Sequence, residues 1–203
     1  KSTKMKKVSL LSGAVAMLLM LSSCGSGTIY PQNEGGGKAV KDLVLKNFDP
    51  EKQVQELQIK AKDELYGDLG EVTVVYWEGE KQMEQVYDAD KGLGEPKETF
   101  ASKNNMKAQM EKTKTIAIKD FNLEPIPNNV GEAVGLIPEG YENYALNEYV
   151  FSFDKDGKTK QYFKINATKK GEGKSQNGRM VSTNYYEFKF TLPEGGKITA
   201  VEN

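Results

Sequence analysis

The chain reads as an α+β fold in which helices pack on one face of an antiparallel β-meander, in an order that allows two similar helix-plus-strands halves. Three observations lead there. The second half carries three long alternating runs: Tyr149, Phe151 and Phe153; Phe163, Ile165 and Ala167; Tyr186, Phe188, Phe190 and Leu192. Successive side chains on a strand point to opposite faces, so each run lines one side of a strand with apolar groups. Both halves also open on apolar residues spaced by three and four, the pattern of a helix with one buried side. Finally, the joints carry turn chemistry. "DKDG" at 154–157 offers Gly157 for a left-handed position, and the polar "KKGEGKSQNG" at 169–178 links the second run to the third.

In chain order, residues 1–23 read as a secretion signal. Lys4, Lys6 and Lys7 give a positive start, and "VSLLSGAVAMLLML" from Val8 to Leu21 is about 14 residues long, short of the roughly 20 that span a bilayer as a helix. The run closes on "LSSC", Leu21 to Cys24, which supplies the only cysteine. This closure resembles the lipobox of bacterial lipoproteins. The resemblance implies thioether lipidation of Cys24, cleavage before it and acylation of the new amino terminus. Several acyl chains, at about 0.8 kcal/mol per buried methylene, make a stable anchor, so the membrane is the first expected partner. The resemblance also implies a cell-envelope location. Gly25 and Ser26 are neither an aspartate nor an acidic run, which favours the outer membrane facing the periplasm over the inner membrane or the cell surface. Residues 24–47, opening "CGSGTIYPQNEGGGK", are glycine-rich and polar and are expected to be a lipidated flexible tether.

The first folded half is expected over 48–125. "DPEKQVQELQIKAKDELYG" predicts a helix from Asp49 to Gly67, with Asp49 as cap, Pro50 at the first helical position and Val54, Leu57, Ala61 and Leu65 as its apolar stripe. A strand "EVTVVYW" and a weaker one, "KQMEQVYD", follow across a turn at Glu78 and Gly79. "ASKNNMKAQMEK" reads as a short polar helix and "TKTIAIKDF" as a strand through Ile116 and Ile118. The second half spans 126–203. A helical stripe of Val130, Ala133, Val134 and Ile137 ends at Pro138, the three alternating runs follow, and "KITAVEN" offers a last short strand. With its lipobox, its helix-then-strands order and stretches such as "VFSFDKDGKTKQYFKIN", the chain resembles the PepSY-like and beta-lactamase-inhibitor-protein-like lipoproteins of Bacteroidota. That resemblance implies a small α+β domain, periplasmic binding or inhibition, and no cofactor.

Composition excludes several chemistries. The 203 residues contain no histidine, which removes Ser-His-Asp and Cys-His catalysis, HExxH metalloproteases and most zinc sites. With one cysteine there is no intramolecular disulfide. Residues 1–23 hold four lysines and no acidic residue, so the remainder has 24 basic against 29 acidic residues, a formal charge of −5. That balance argues against nucleic acid as a partner. "GEGKS" at 171–175 has the tail of a phosphate loop but lies between two strands, "SFDK" at 152–155 sits on a strand instead of a helical turn, and "DKDG" lacks the later calcium-loop glutamate, since Ile165 stands there. No metal, no cofactor and no catalytic residue is assigned.

The candidate binding site follows from the period of two. If Phe151, Phe153, Phe163, Ile165, Tyr186, Phe188 and Phe190 face the helices, then Val150, Ser152, Tyr162, Lys164, Tyr185, Glu187 and Lys189 lie on the opposite face. Tyrosines mixed with charges suit an interface, here with an envelope protein or peptide, and Tyr162, Lys164, Tyr185, Glu187 and Lys189 are its core. A non-catalytic binding or inhibitory module is therefore expected. A structural or assembly lipoprotein is the alternative, followed by a hydrolase using a carboxylate pair such as Glu139 and Glu142, with Trp77, Tyr76 and Tyr87 available to stack on sugars.

Overall fold

Between Asp49 and Gly67 the chain is extended, not helical, and this corrects the sequence reading. Asp49 closes a single turn: its Oδ1 accepts from the Glu51 N–H at 3.0 Å and its carbonyl from the Lys52 N–H at 3.1 Å. Strands β1 (Gln53–Val54) and β2 (Glu56–Ala61) follow. Val54, Leu57 and Ile59 are all fully buried. The step of three from Val54 to Leu57 imitates a helical stripe because the alternation slips by one residue between the two strands, and the step of two to Ile59 is that of a strand. Pairing on both edges then holds β2 extended. Leu57 lies opposite Val74 of β3 (Leu69–Glu78) on one side and Phe151 of β8 (Tyr141–Phe153) on the other. Good helix formers such as Glu56, Gln58 and Lys60 yield to two ladders of hydrogen bonds and a buried pair of side chains.

The computed structural model describes residues 27–201 apart from 108–109, 173–174 and 178–179, so Cys24 and the expected signal lie outside the described residues. Within the expected tether, Gly36–Asn47 forms helix α1, with Val40 and Val44 buried. This is a second correction, and the glycines explain it. A Cβ on Gly36 would stand 2.1 Å from the Tyr30 carbonyl oxygen, and one on Gly37 would stand 2.2 Å from that of Leu123. The triplet at 35–37 lets two backbone segments touch the start of the helix.

After β3 come β4 (Lys81–Asp88), β5 (Gly92–Leu93), β6 (Lys97–Glu98) and the single-turn helix α2 (Phe100–Lys103), capped by the Thr99 hydroxyl accepting from the Ser102 N–H. The polar helix expected at 101–112 is thus a short turn at its start. The strand expected through Ile116 and Ile118 is β7 (Ile116–Ala117), which pairs with β1 and passes into a 3-10 turn at Ile118–Asp120. Helix α3 (Ile126–Val134) buries Val130 and Ala133 of the expected stripe and half-buries Val134, while Ile126 joins the buried side and Ile137 is buried just past the helix end. The "DKDG" turn forms as expected: Asp154 Oδ1 accepts from the N–H groups of Asp156 and Lys158, each at 2.9 Å, and Gly157 has φ 73°. The remaining strands are β9 (Thr159–Lys169), the β10 (Ser175–Asn177) and β11 (Met180–Ser182) pair, β12 (Tyr186–Pro193) and β13 (Thr199–Ala200).

The result is an α+β fold with three helices and a large antiparallel sheet among the described residues. Nine strands join it in the order β13-β12-β9-β8-β2-β3-β4-β5, with β6 also on β4, so the two expected halves share one sheet through the β2–β8 pairing. One apolar cluster unites Val40 and Val44 of α1, Ile126 and Val130 of α3, and residues from β2, β3, β8, β9 and β12: Leu57, Val74, Tyr149, Phe163 and Phe190 among them. Tyr149 stacks on Phe163 at 4.8 Å, and its buried hydroxyl donates to Gln161 at 2.6 Å while accepting from Asn129 of α3 at 2.7 Å. Tyr186 and Phe188, expected to face a helix, instead pack edge-on against Tyr141 at 5.3 and 4.9 Å and stay half-buried.

Candidate functional site

On β9 the residues alternating with buried Phe163 and Ile165 are Tyr162, Lys164 and Asn166, and the ladder fixes their neighbours. Lys164 stands opposite Glu148 of β8 and Lys189 of β12; Tyr162 stands opposite Val150 and Thr191; Glu187 stands opposite Asn166. The register thus brings together four of the five predicted binding residues: Tyr162, Lys164, Glu187 and Lys189. Tyr185 lies one residue before β12, 46% exposed. Cys24, the predicted lipid site, is outside the described residues.

The centre of this face is an ordered polar network. Lys164 Nζ meets Glu148 Oε2 at 2.7 Å, Gln58 Nε2 of β2 donates to Glu148 Oε1, and the Lys164 ammonium stands 5.9 Å from the centre of the Tyr162 ring. The hydrogen bond to Glu148 raises the Lys164 ammonium above the usual lysine range. Lys189 Nζ reaches Glu187 Oε1 at 3.5 Å. Beside them Glu56 faces the same way, opposite Val75. Burial first, then the nearby Glu148 carboxylate, holds its carboxyl above the usual glutamate range. Sequence reading misses Glu56, Gln58 and Glu148. The first two sit in the segment misread as helix, and Glu148 needs the β8–β9 register to be placed beside Lys164.

A second feature is an open cleft of about 700 Å³ between α1 and the ends of β3 and β4. Ile29, Leu43 and Tyr87 supply apolar lining, and Lys46, Lys62 and Asp68 supply charge. Lys62 pairs with Asp90 at 2.7 Å, and Asp68 Oδ1 is buried without a hydrogen-bond partner. Nothing in the sequence reading marks this cleft, because one of its walls belongs to the segment expected to be a tether.

The structure separates the other candidates. Tyr76 is buried beneath the Lys52 ammonium, 3.5 Å from its ring centre, and is closed to a stacking ligand. Trp77 donates Nε1–H to Gln55 Oε1 and lies under Lys112 at 4.9 Å, while Tyr87 faces the cleft. Glu139, in the turn before β8, and Glu142, at its start, are exposed. Ser152 donates to the Lys160 carbonyl at 3.4 Å across the hairpin. Among the described residues no group of three or more acidic, cysteine or histidine side chains is placed to hold a metal ion, and no helix is long and apolar enough to cross a membrane. No protein family, no curated protein and no solved structure matches the chain.

Proposed function

We propose that this protein is a lipid-anchored, non-catalytic binding module of the cell envelope. In this reading α1 and α3 cover one face of the sheet, and the opposite face, centred on Tyr162 and Lys164, takes an envelope protein or an extended peptide. Cys24 carries the anchor, with an outer-membrane site facing the periplasm. The observation that supports the binding surface is the network across β2, β8 and β9. A lysine, a glutamate and a glutamine are fixed against one another beside an aromatic ring, and the Glu56 carboxylate next to them has neither hydrogen bond nor ion pair among the described residues. A half-desolvated carboxylate beside a second one is costly as it stands, and a partner's cation or amide would relieve it. Fixed side chains also lose little entropy when a partner binds.

A photo-crosslinking residue placed at Tyr162 or Tyr185 in the full-length protein in cells tests this. Discrete adducts are expected from both positions, none from a control at exposed Lys97 on β6, and none from either when Cys24→Ala releases the protein from the membrane. Adducts absent at 162 and 185, or identical at 97, would move the binding surface elsewhere.

A further inference from the structure

The fold begins very close to Cys24. The Ile29 carbonyl accepts from the Leu69 N–H at 2.8 Å, the Tyr30 carbonyl accepts from the Asn33 N–H at 3.0 Å, and the Asn33 carbonyl accepts from the Gly36 N–H at 2.8 Å as α1 starts. Only Gly25 to Thr28 separate the cysteine from this pinned segment. Fully extended, that stretch reaches at most about 17 Å. A folded unit of this size has a radius of gyration of about 16 Å, so it is roughly 40 Å across. The leash is shorter than the body it holds, and only the surface around Ile29 can meet the anchoring plane.

That surface has the chemistry of an interfacial contact. Tyr30 is 37% exposed and Tyr66 is 71% exposed, the latter high for a large aromatic side chain. Gln32, two residues after Tyr30, joins the two segments: its Nε2 donates to the Tyr66 carbonyl at 3.4 Å and its side chain occupies the space beside Gly67. Tyrosine favours the headgroup level of a bilayer, ring toward the acyl chains and hydroxyl in water. The adjoining cleft mixes Lys46 and Lys62 with Asp42, Asp68 and Asp90, so the surface does not select a strongly anionic membrane.

Resting on the anchor reading above, we propose that Tyr30 and Tyr66 form a membrane-contact surface that seats in the headgroup layer of a largely zwitterionic bilayer. The domain is thereby held against the membrane in one orientation and does not swing on a tether. The α1 cleft then opens beside the lipid surface.

Acylation blocks Cys24, so Tyr66→Cys gives the lipidated protein a single free thiol, and Val201→Cys gives an exposed control just after the edge strand β13, whereas Tyr66 lies in the connection between the interior strands β2 and β3. Each thiol is spin-labelled, and collision with a water-soluble nickel chelate is compared between two states. One is the lipidated protein on phosphatidylethanolamine vesicles with a minor share of phosphatidylglycerol. The other is the Cys24→Ala form of the same labelled variant, which carries no acyl chains and is free in solution. The proposal expects severalfold shielding of the label at 66 on vesicles and no change at 201. If the protein floats with the vesicles but the label at 66 is as accessible as in solution, the membrane-contact surface is wrong and the anchor stands. If it fails to float, the anchor reading falls and takes this surface with it.

Discussion

Glu56 shows how a single side chain records its surroundings. Desolvation and the neighbouring Glu148 raise its carboxyl above the glutamate reference of 4.5, so the folded state binds its proton more tightly than the unfolded chain does. The ionised form therefore costs stability above the folded-state titration, and the cost fades as pH falls through it toward 4.5. Glu56→Gln removes the charge and keeps the shape. It should raise the urea midpoint at pH 7 to 8 by an amount that shrinks on acidification and vanishes below about pH 4.5, where the unfolded glutamate is protonated as well. A midpoint lowered at neutral pH would show that Glu56 has a stabilising partner. Lys164 poses the opposite case. Its pair with Glu148 is half-buried, with side-chain exposures of 26% and 15%. Lys164→Ala should cost about 1 kcal/mol, between the near-zero of an exposed pair and the larger loss of a buried one, and a double-mutant cycle with Glu148→Ala isolates the coupling.

At the scale of elements, legibility followed the regularity of the pattern. The runs on β8, β9 and β12 keep a strict period of two and bury Phe151, Phe163 and Phe190, so their alternation is visible from the residues alone. The stripe on α3 is visible for the same reason. Segment 53–61 reads as helix because the phase slips between Val54 and Leu57, and only β3 and β8, distant in sequence, decide its conformation. Helix α1 is hidden in the sequence because glycine density argues for flexibility locally, whereas here the missing Cβ atoms admit the Tyr30 and Leu123 carbonyls. Gly37→Ala distinguishes the two meanings. In a solvent-exposed helix it would stabilise by about 1 kcal/mol. In this structure the added methyl meets backbone at 2.2 Å, and the substitution should destabilise by about 1–3 kcal/mol, read from the urea midpoint at constant slope. The face that carries Tyr162 and Lys164 is legible on β9, on β12 and at Val150 and Ser152 of β8, and illegible on β2 and at Glu148, where cross-strand register does the placing.

For the whole molecule, the central position of β2 ties the segments either side of residue 125 into one hydrogen-bonded sheet and one apolar cluster. Unfolding should therefore be a single event. Trp77 fluorescence reports the first half and far-ultraviolet circular dichroism reports the entire chain, and the two should give coincident transitions. Ile59→Ala, at the fully buried middle of β2, should lower both by the same 2–5 kcal/mol. Two separated transitions would mean that the halves fold independently.

The claim on which the functional account turns is that Cys24 fixes this domain to a membrane, and intact-mass and amino-terminal peptide analysis of the protein purified from envelope fractions tests it most directly. The expected product is a mature chain beginning at Cys24 and carrying a thioether-linked diacylglyceryl group with an acylated amino terminus, a form lost in Cys24→Ala. A mature chain whose first residue is not Cys24, or an unmodified Cys24 thiol, would contradict it.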